Sequence, residues 1–223
     1  RRANLETSGN LLYAIDNLVN APKNDEGTYT LFNIKYSQYI KNDYDFRYYF
    51  VFNRVNMLVL RTMLGIGVPY GNTPRTLPFE QGFYLGGANS LRGWRFRSVG
   101  PGSYNAESDY VDKMGEIMLE GNLEYRFPIY RSFKGAVFTD IGNVWLMKPD
   151  SVFPGGNFEF KDFLSELAIN GGLGVRFDFS FFVFRIDAAI RWRDPALPTG
   201  ERWVIGDPKL RNVIWNFGIG YPF

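Results

Sequence analysis

From Glu116 to Phe127 the chain alternates between two kinds of residue. Even positions carry Glu116, Met118, Glu120, Asn122, Glu124 and Arg126; odd positions carry Ile117, Leu119, Gly121, Leu123, Tyr125 and Phe127. A period of two describes a β-strand with one polar and one apolar face. The pattern returns in Ile169–Phe179 and Phe182–Arg193, and at the end in Val213, Trp215, Phe217, Ile219, Tyr221 and Phe223. The chain therefore reads as all-β and antiparallel, with every strand built to separate two environments.

Two architectures give that separation. A soluble sandwich turns the apolar faces toward each other, whereas a membrane barrel turns them to lipid around a wet lumen. Length decides between them. The alternating runs cover about 10 to 16 residues, against about 5 or 6 for soluble strands and 9 to 11 for a tilted membrane strand. Aromatic residues make up 18% of the chain, with 21 Phe and 14 Tyr, as the girdles of such barrels require. Arginine recurs on the polar faces (Arg126, Arg176, Arg185, Arg191 and Arg193), which suits a charged lumen.

Composition removes other classes. The 223 residues contain no His and no Cys, so imidazole bases, His metal sites, thiolate nucleophiles and disulfides are excluded within them. A formal charge of +2 is too small for a nucleic-acid partner. No apolar run is long enough for a transmembrane helix, since Phe177–Ile186 is broken by Asp178 and Arg185. The opening Arg1-Arg2 is no signal peptide and reads as a mature protein or a fragment.

In order, the expected strands are Ala3–Tyr13, Tyr36–Phe52, Met57–Val68, Met114–Phe127, Lys134–Trp145, Ser165–Phe179, Phe182–Arg193 and Asn212–Phe223. Residues 36–52 are read as one strand because Tyr36, Ile40, Tyr44, Phe46, Tyr48, Phe50 and Phe52 keep one phase across Lys41-Asn42-Asp43. Long and short connections then alternate, as in outer-membrane barrels. The whole chain, 1–223, is one barrel unit with a long loop at 69–113. Within that loop, Gly86–Tyr104 holds two arginines in a glycine frame, and its aromatic residues argue against disorder. It is expected to fold back into the barrel with Arg92 on carboxylates of the wall. On residue pattern alone, Arg92 could instead be a solvated loop arginine.

Glu107, Asp109 and Asp112 read as a solvated loop rather than a calcium site, so no metal or cofactor is expected. The glycine runs at 65–67 and 171–174 lack the lysine of a phosphate loop. Residues 158–167 (FEFKDFLSEL) have the spacing of a short amphipathic helix.

The ordered motifs GGANSLRGW, GNLEYRFP and FTDIGNVW, followed by an aromatic-ended last strand, resemble the C-terminal barrel of the BamA/TamA-type outer-membrane assembly and two-partner-secretion superfamily. The resemblance spans essentially the whole chain. It implies a sixteen-stranded barrel of which these eight strands form the second half. It also implies integral residence in the bacterial outer membrane and periplasmic repeat domains and accessory subunits outside this chain. The loop motif falls on Gly86, Gly87, Arg92, Gly93 and Trp94, and the wall acids on Glu124 and Asp140. The residues Trp215, Phe217, Ile219, Tyr221 and Phe223 match the insertion signal and the seam, with Pro222 a departure that suits only a strand end or an unpaired edge. The implied function is non-enzymatic assembly, insertion or translocation of client outer-membrane or surface proteins. A gated secretion pore is the alternative, and an outer-membrane enzyme is disfavoured by the missing His.

Overall fold

The computed structural model describes residues 1–53, 55–73, 75–105, 113–179, 181–206 and 212–223. The acidic triplet Glu107, Asp109 and Asp112 lies outside the described residues, as do Ser180 of the expected tight turn and residues 207–211 of the last loop.

Among the described residues ten strands and one α-helix follow in order: β1 (Arg2–Ser8), α1 (Asn10–Leu18), β2 (Thr30–Leu31), β3 (Ile34–Lys35), β4 (Tyr39–Val51), β5 (Met57–Pro69), β6 (Ile117–Tyr130), β7 (Phe133–Trp145), β8 (Ala168–Asp178), β9 (Val183–Arg193) and β10 (Ile214–Ile219). Eight of them form a single antiparallel sheet in the order β1-β4-β5-β6-β7-β8-β9-β10, and β2 and β3 make a separate hairpin. Among the described residues β1 and β10 each have one neighbour in this sheet and do not pair with each other.

The alternation sorts as the composition demands. On β6, Glu120, Asn122, Glu124 and Arg126 are buried while Leu123 and Tyr125 are exposed. Along β4 and β5 the outward side chains include Tyr44, Tyr48, Phe50, Leu64 and Ile66. An exposed apolar face and a buried polar face invert the soluble arrangement. Among the described residues no helix is long and apolar enough to cross a membrane, so crossing falls to strands. The chain is half of a transmembrane β-barrel.

Several expected boundaries are corrected. The strand expected over Ala3–Tyr13 stops at Ser8, because Gly9 adopts φ +73° and the following NLLYAIDNL winds into α1. Its apolar residues Leu11, Ile15 and Leu18 recur at helical spacing, which the period-two reading overlooked. Residues 39–51 form one strand straight through Lys41-Asn42-Asp43, while part of the segment before it folds into the β2–β3 hairpin. Strand β6 runs on to Tyr130, leaving a tighter turn than expected. Residues 158–167 form a run of turns rather than a helix; Phe158 sits against Trp145 (5.6 Å between ring centroids) and fixes the segment to the wall.

The largest correction is at the end of the chain. The last strand closes at Ile219, and at Gly220 (φ +84°) the backbone leaves the sheet. Tyr221 and Phe223, expected on the lipid-facing side, turn to the polar face instead. Phe223 is buried there, its ring within about 6 Å of the guanidinium carbons of Arg61, Arg92 and Arg126, and the Tyr221 ring lies 4.2 Å from that of Arg126. Cations over ring faces provide the attraction that an extended, lipid-facing tail would forgo.

Candidate functional site

The described residues of the β5–β6 connection run over the polar face of the sheet, and its central turn is small and closed. The Gly87 N–H donates to the Trp94 carbonyl (2.9 Å), and the Trp94 N–H donates to that of Leu91 (3.1 Å). Gly86 and Gly87 take φ values of +109° and +91°, where side chains are strained. Gly93 answers a different need. A Cβ there would stand 2.5 Å from the Asn170 Cβ on β8, so only glycine lets the turn reach the wall this closely.

One side of the loop is apolar. Phe83, Leu85, Leu91, Trp94 and Val99 pack with Met118 of β6, Val144 of β7 and Ala168 of β8 in one buried cluster. This patch replaces water over part of the inner wall and fixes the height at which Arg92 enters the polar network.

Arg92 is fully buried. Its Nε and Nη2 donate to the two carboxylate oxygens of Asp140 on β7, at 3.0 and 2.9 Å, and its backbone N–H donates to Asp140 Oδ2 at 3.1 Å. Its Nη1 donates to Glu124 Oε2 on β6 at 2.5 Å and lies 3.8 Å from Asp187 on β9. The register explains how two strands serve one guanidinium. Glu124 stands opposite Phe138 and Asn122 opposite Asp140, so both acids point to the same side, two register steps apart. Between them the Phe138 ring forms a floor, with the Arg92 Cζ 3.4 Å from its centroid. A fork held by two acids over an aromatic plane uses the geometry that distinguishes arginine from lysine.

The wall acids have further partners. Asn122 and Asn170 donate to Asp140 at 3.0 and 2.9 Å. Glu124 accepts from Arg126 Nε at 2.7 Å and pairs with Arg176 Nη2 at 3.2 Å. Asp187 pairs with Arg176 and with Arg185. Arg61 on β5 reaches Asp45 at 3.3 Å and Glu120 at 3.1 Å. The network thus interleaves five buried guanidinium groups (Arg61, Arg92, Arg126, Arg176 and Arg185) with five buried carboxylates (Asp45, Glu120, Glu124, Asp140 and Asp187). Burial of an ion is tolerable only where pairing of this kind replaces its water.

Several of these residues were not singled out from sequence. Asn216 on β10 donates to the Arg92 carbonyl at 2.9 Å, and Arg191 on β9 donates to that of Gly93 at 3.0 Å. Arg185 donates to the carbonyl of Ala88 at 2.8 Å and to the Asn89 side chain. Asp187 and Arg61 carried a readable signal, since each shares the polar parity of its strand. Asn216 carried none beyond lying between apolar residues. Trp215, Phe217 and Ile219 are exposed on the outward face of β10, apart from this network.

Two acids near the loop end of the sheet are buried outside the network. Glu116, just before β6, accepts from the backbone N–H groups of Met147 (2.9 Å) and Leu77 (3.4 Å). Glu166, ahead of β8, accepts from the Trp145 indole (2.7 Å). Burial pushes both carboxyls above the usual glutamate value. Among the described residues no group of three or more acidic, His or Cys side chains is placed to hold a metal ion.

A half-barrel with a loop arginine clamped to acids on the polar face of its sheet defines an outer-membrane β-barrel. The chain belongs to the Omp85 superfamily, whose domain model matches residues 1–223. It is 26% identical over 156 residues to the outer membrane protein assembly factor BamA of Neisseria meningitidis serogroup B, a match covering 62% of this chain and 19% of that protein. In structure it is similar to BamA from Haemophilus ducreyi lacking POTRA domains 1–3, with a TM-score of 0.54 and 19% identity over 82% of this chain and 34% of that one. The chain thus spans about a fifth of the Neisseria relative and a third of the Haemophilus structure. It is part of an integral outer-membrane β-barrel.

Proposed function

We propose that this half-barrel assembles or inserts client outer-membrane and surface proteins, and does so without covalent catalysis. The observation that carries the reading is that one loop, through Arg92, is fastened at once to the wall and to the last strand. Strand β10 has six residues, so a strand bordering its outer edge is held by few ladder hydrogen bonds and can give way to an incoming one. Such an edge can template an incoming strand by β-augmentation. Release of β10 would break or carry along the Asn216–Arg92 contact, which supports a loop that responds to the state of the seam. The outward Trp215, Phe217 and Ile219, with the inturned Tyr221 and Phe223, serve as insertion signal and seam. The segment 69–113 acts as a lumen loop. The naming of the Neisseria relative as an assembly factor supports the same reading. Its partners are the bilayer, the clients, and periplasmic repeat domains and accessory subunits outside this chain.

A gated secretion pore is the second reading, favoured by the loop lying across the inner face. The full-length protein in lipid vesicles separates the two. Assembly predicts that Arg92→Ala cuts client insertion sharply, while conductance changes little. Wide, stable channels in Arg92→Ala with client insertion intact would instead establish the pore.

A further inference from the structure

The first connection of the chain carries an amphipathic helix whose apolar side is left exposed. On α1, Leu11, Ile15 and Leu18 fall on one face, flanked by Ala14 and Val19; Leu11 is 74% and Leu18 83% exposed. The opposite side is fastened down. Asp16 accepts from the Tyr36 hydroxyl at 2.8 Å, and the Tyr13 ring meets Tyr29 edge-on, 5.4 Å between centroids. The helix is therefore held in one orientation with its apolar face turned away.

Its position says what that face meets. On β4 and β5 even-numbered side chains point outward, toward lipid, as exposed Ile40, Tyr44, Leu64 and Ile66 show. The register that pairs Tyr39 with Pro69 continues one step further, because the Tyr70 N–H donates to the Gln38 carbonyl at 3.1 Å. Gln38 and Tyr70, just beyond the strand ends, thus keep the outward parity, with Gln38 buried beneath the start of the helix and the backbone of Asn72. Both side chains donate to Asn10 Oδ1 of the helix, at 3.1 and 2.6 Å. The helix begins on the lipid side of the rim, continuous with the surface that Ile40 and Ile66 present to the bilayer.

We propose that α1 is an interfacial helix that lays Leu11, Ile15 and Leu18 into the boundary between headgroups and acyl chains at the loop end of the barrel. An apolar arc seated about 5–10 Å into that boundary is how a helix lies on a membrane, and here the polar face carries Asn10, Asp16 and Asn17 rather than basic residues. The helix would anchor the β1–β4 side of the sheet at a fixed depth. The inference rests on membrane residence alone and stands or falls separately from the client-handling role.

These 223 residues contain no cysteine, so a label site introduced here is unique within them once any cysteine elsewhere in the full-length protein is replaced by serine. Ile15→Cys, Leu18→Cys and, on the fastened side, Asn17→Cys would each carry a small fluorophore in the full-length protein. The host is a phosphatidylcholine vesicle containing lipid with a nitroxide near the headgroup, and iodide is the aqueous quencher. Labels at 15 and 18 should lose most of their fluorescence to the nitroxide lipid and little to iodide, with the order reversed at 17. Iodide quenching at all three positions would overturn the proposal. So would protection of 15 and 18 from both quenchers, which would mean that protein covers the face.

Discussion

The side-chain amide of Asn216, on the last strand, donates to the backbone carbonyl of Arg92 across 2.9 Å. The loop motif and β10 are thus joined by direct contact.

Asn216→Ala should therefore loosen the loop without unfolding the sheet. Loss of one buried hydrogen bond costs on the order of 1 kcal/mol, with the desolvated carbonyl adding to it. Hydrogen exchange of the full-length protein should show faster exchange at residues 87–94 and unchanged protection in β6 and β7. Uniform change, or none, would show that the contact does not hold the loop.

Arg92 should couple to both acids. Removing one partner of a buried pair costs about 3–5 kcal/mol, because the group left behind keeps its desolvation. Arg92→Ala, Glu124→Gln and Asp140→Asn should each lower the unfolding midpoint of the detergent-solubilised protein. The double variants should be less destabilised than the sum of the singles. Arg92→Lys should fail to restore stability, since an ammonium lacks the fork and the planar face that lie over Phe138. Strict additivity would mean the three groups act independently.

Phe223 tests the tail. Phe223→Leu preserves an apolar filler but removes the ring that Arg61, Arg92 and Arg126 surround. Each such contact contributes about 0.5–2 kcal/mol, so the variant should unfold at lower denaturant. Phe223→Tyr should stay near wild type. A wild-type midpoint for Phe223→Leu would reduce the ring to packing alone.

Acidity should act at the loop end through Glu166. Its native carboxyl is raised by burial, so the folded state holds the proton more tightly than the unfolded chain does. Stability is then greatest below the ordinary value of 4.5 and falls as pH climbs from there through the raised native value. Glu166→Gln keeps an acceptor for the Trp145 indole and removes the titration. Thermal midpoints of wild type and variant, followed through that range, should diverge as pH rises, with the wild type losing ground. Parallel curves would show that Glu166 does not titrate in this window.

The strands were readable because each separates lipid from lumen at every second residue, and that demand is local. The continuity of 39–51 followed from the same rule, its phase unbroken at Lys41-Asn42-Asp43. The helix was missed because Leu11, Ile15 and Leu18 belong to a different period, in a stretch where the strand pattern was short. The inward turn of Phe223 could not be read locally, since its cause is a set of guanidinium groups from β5, β6 and the loop, distant in sequence. The same holds for Asn216. Its alternation shows only which way it points, and its partner is 124 positions away.

Within the buried network each positive group is matched by a negative one, and one of the positive groups arrives on a removable segment. If the turn at 87–94 swings out, Glu124 and Asp140 stay behind on β6 and β7. The vacated passage would then bear surplus negative charge at its waist, admit potassium more readily than chloride, and hold basic segments of a passing polypeptide. The seated loop, by contrast, leaves the passage electrically quiet.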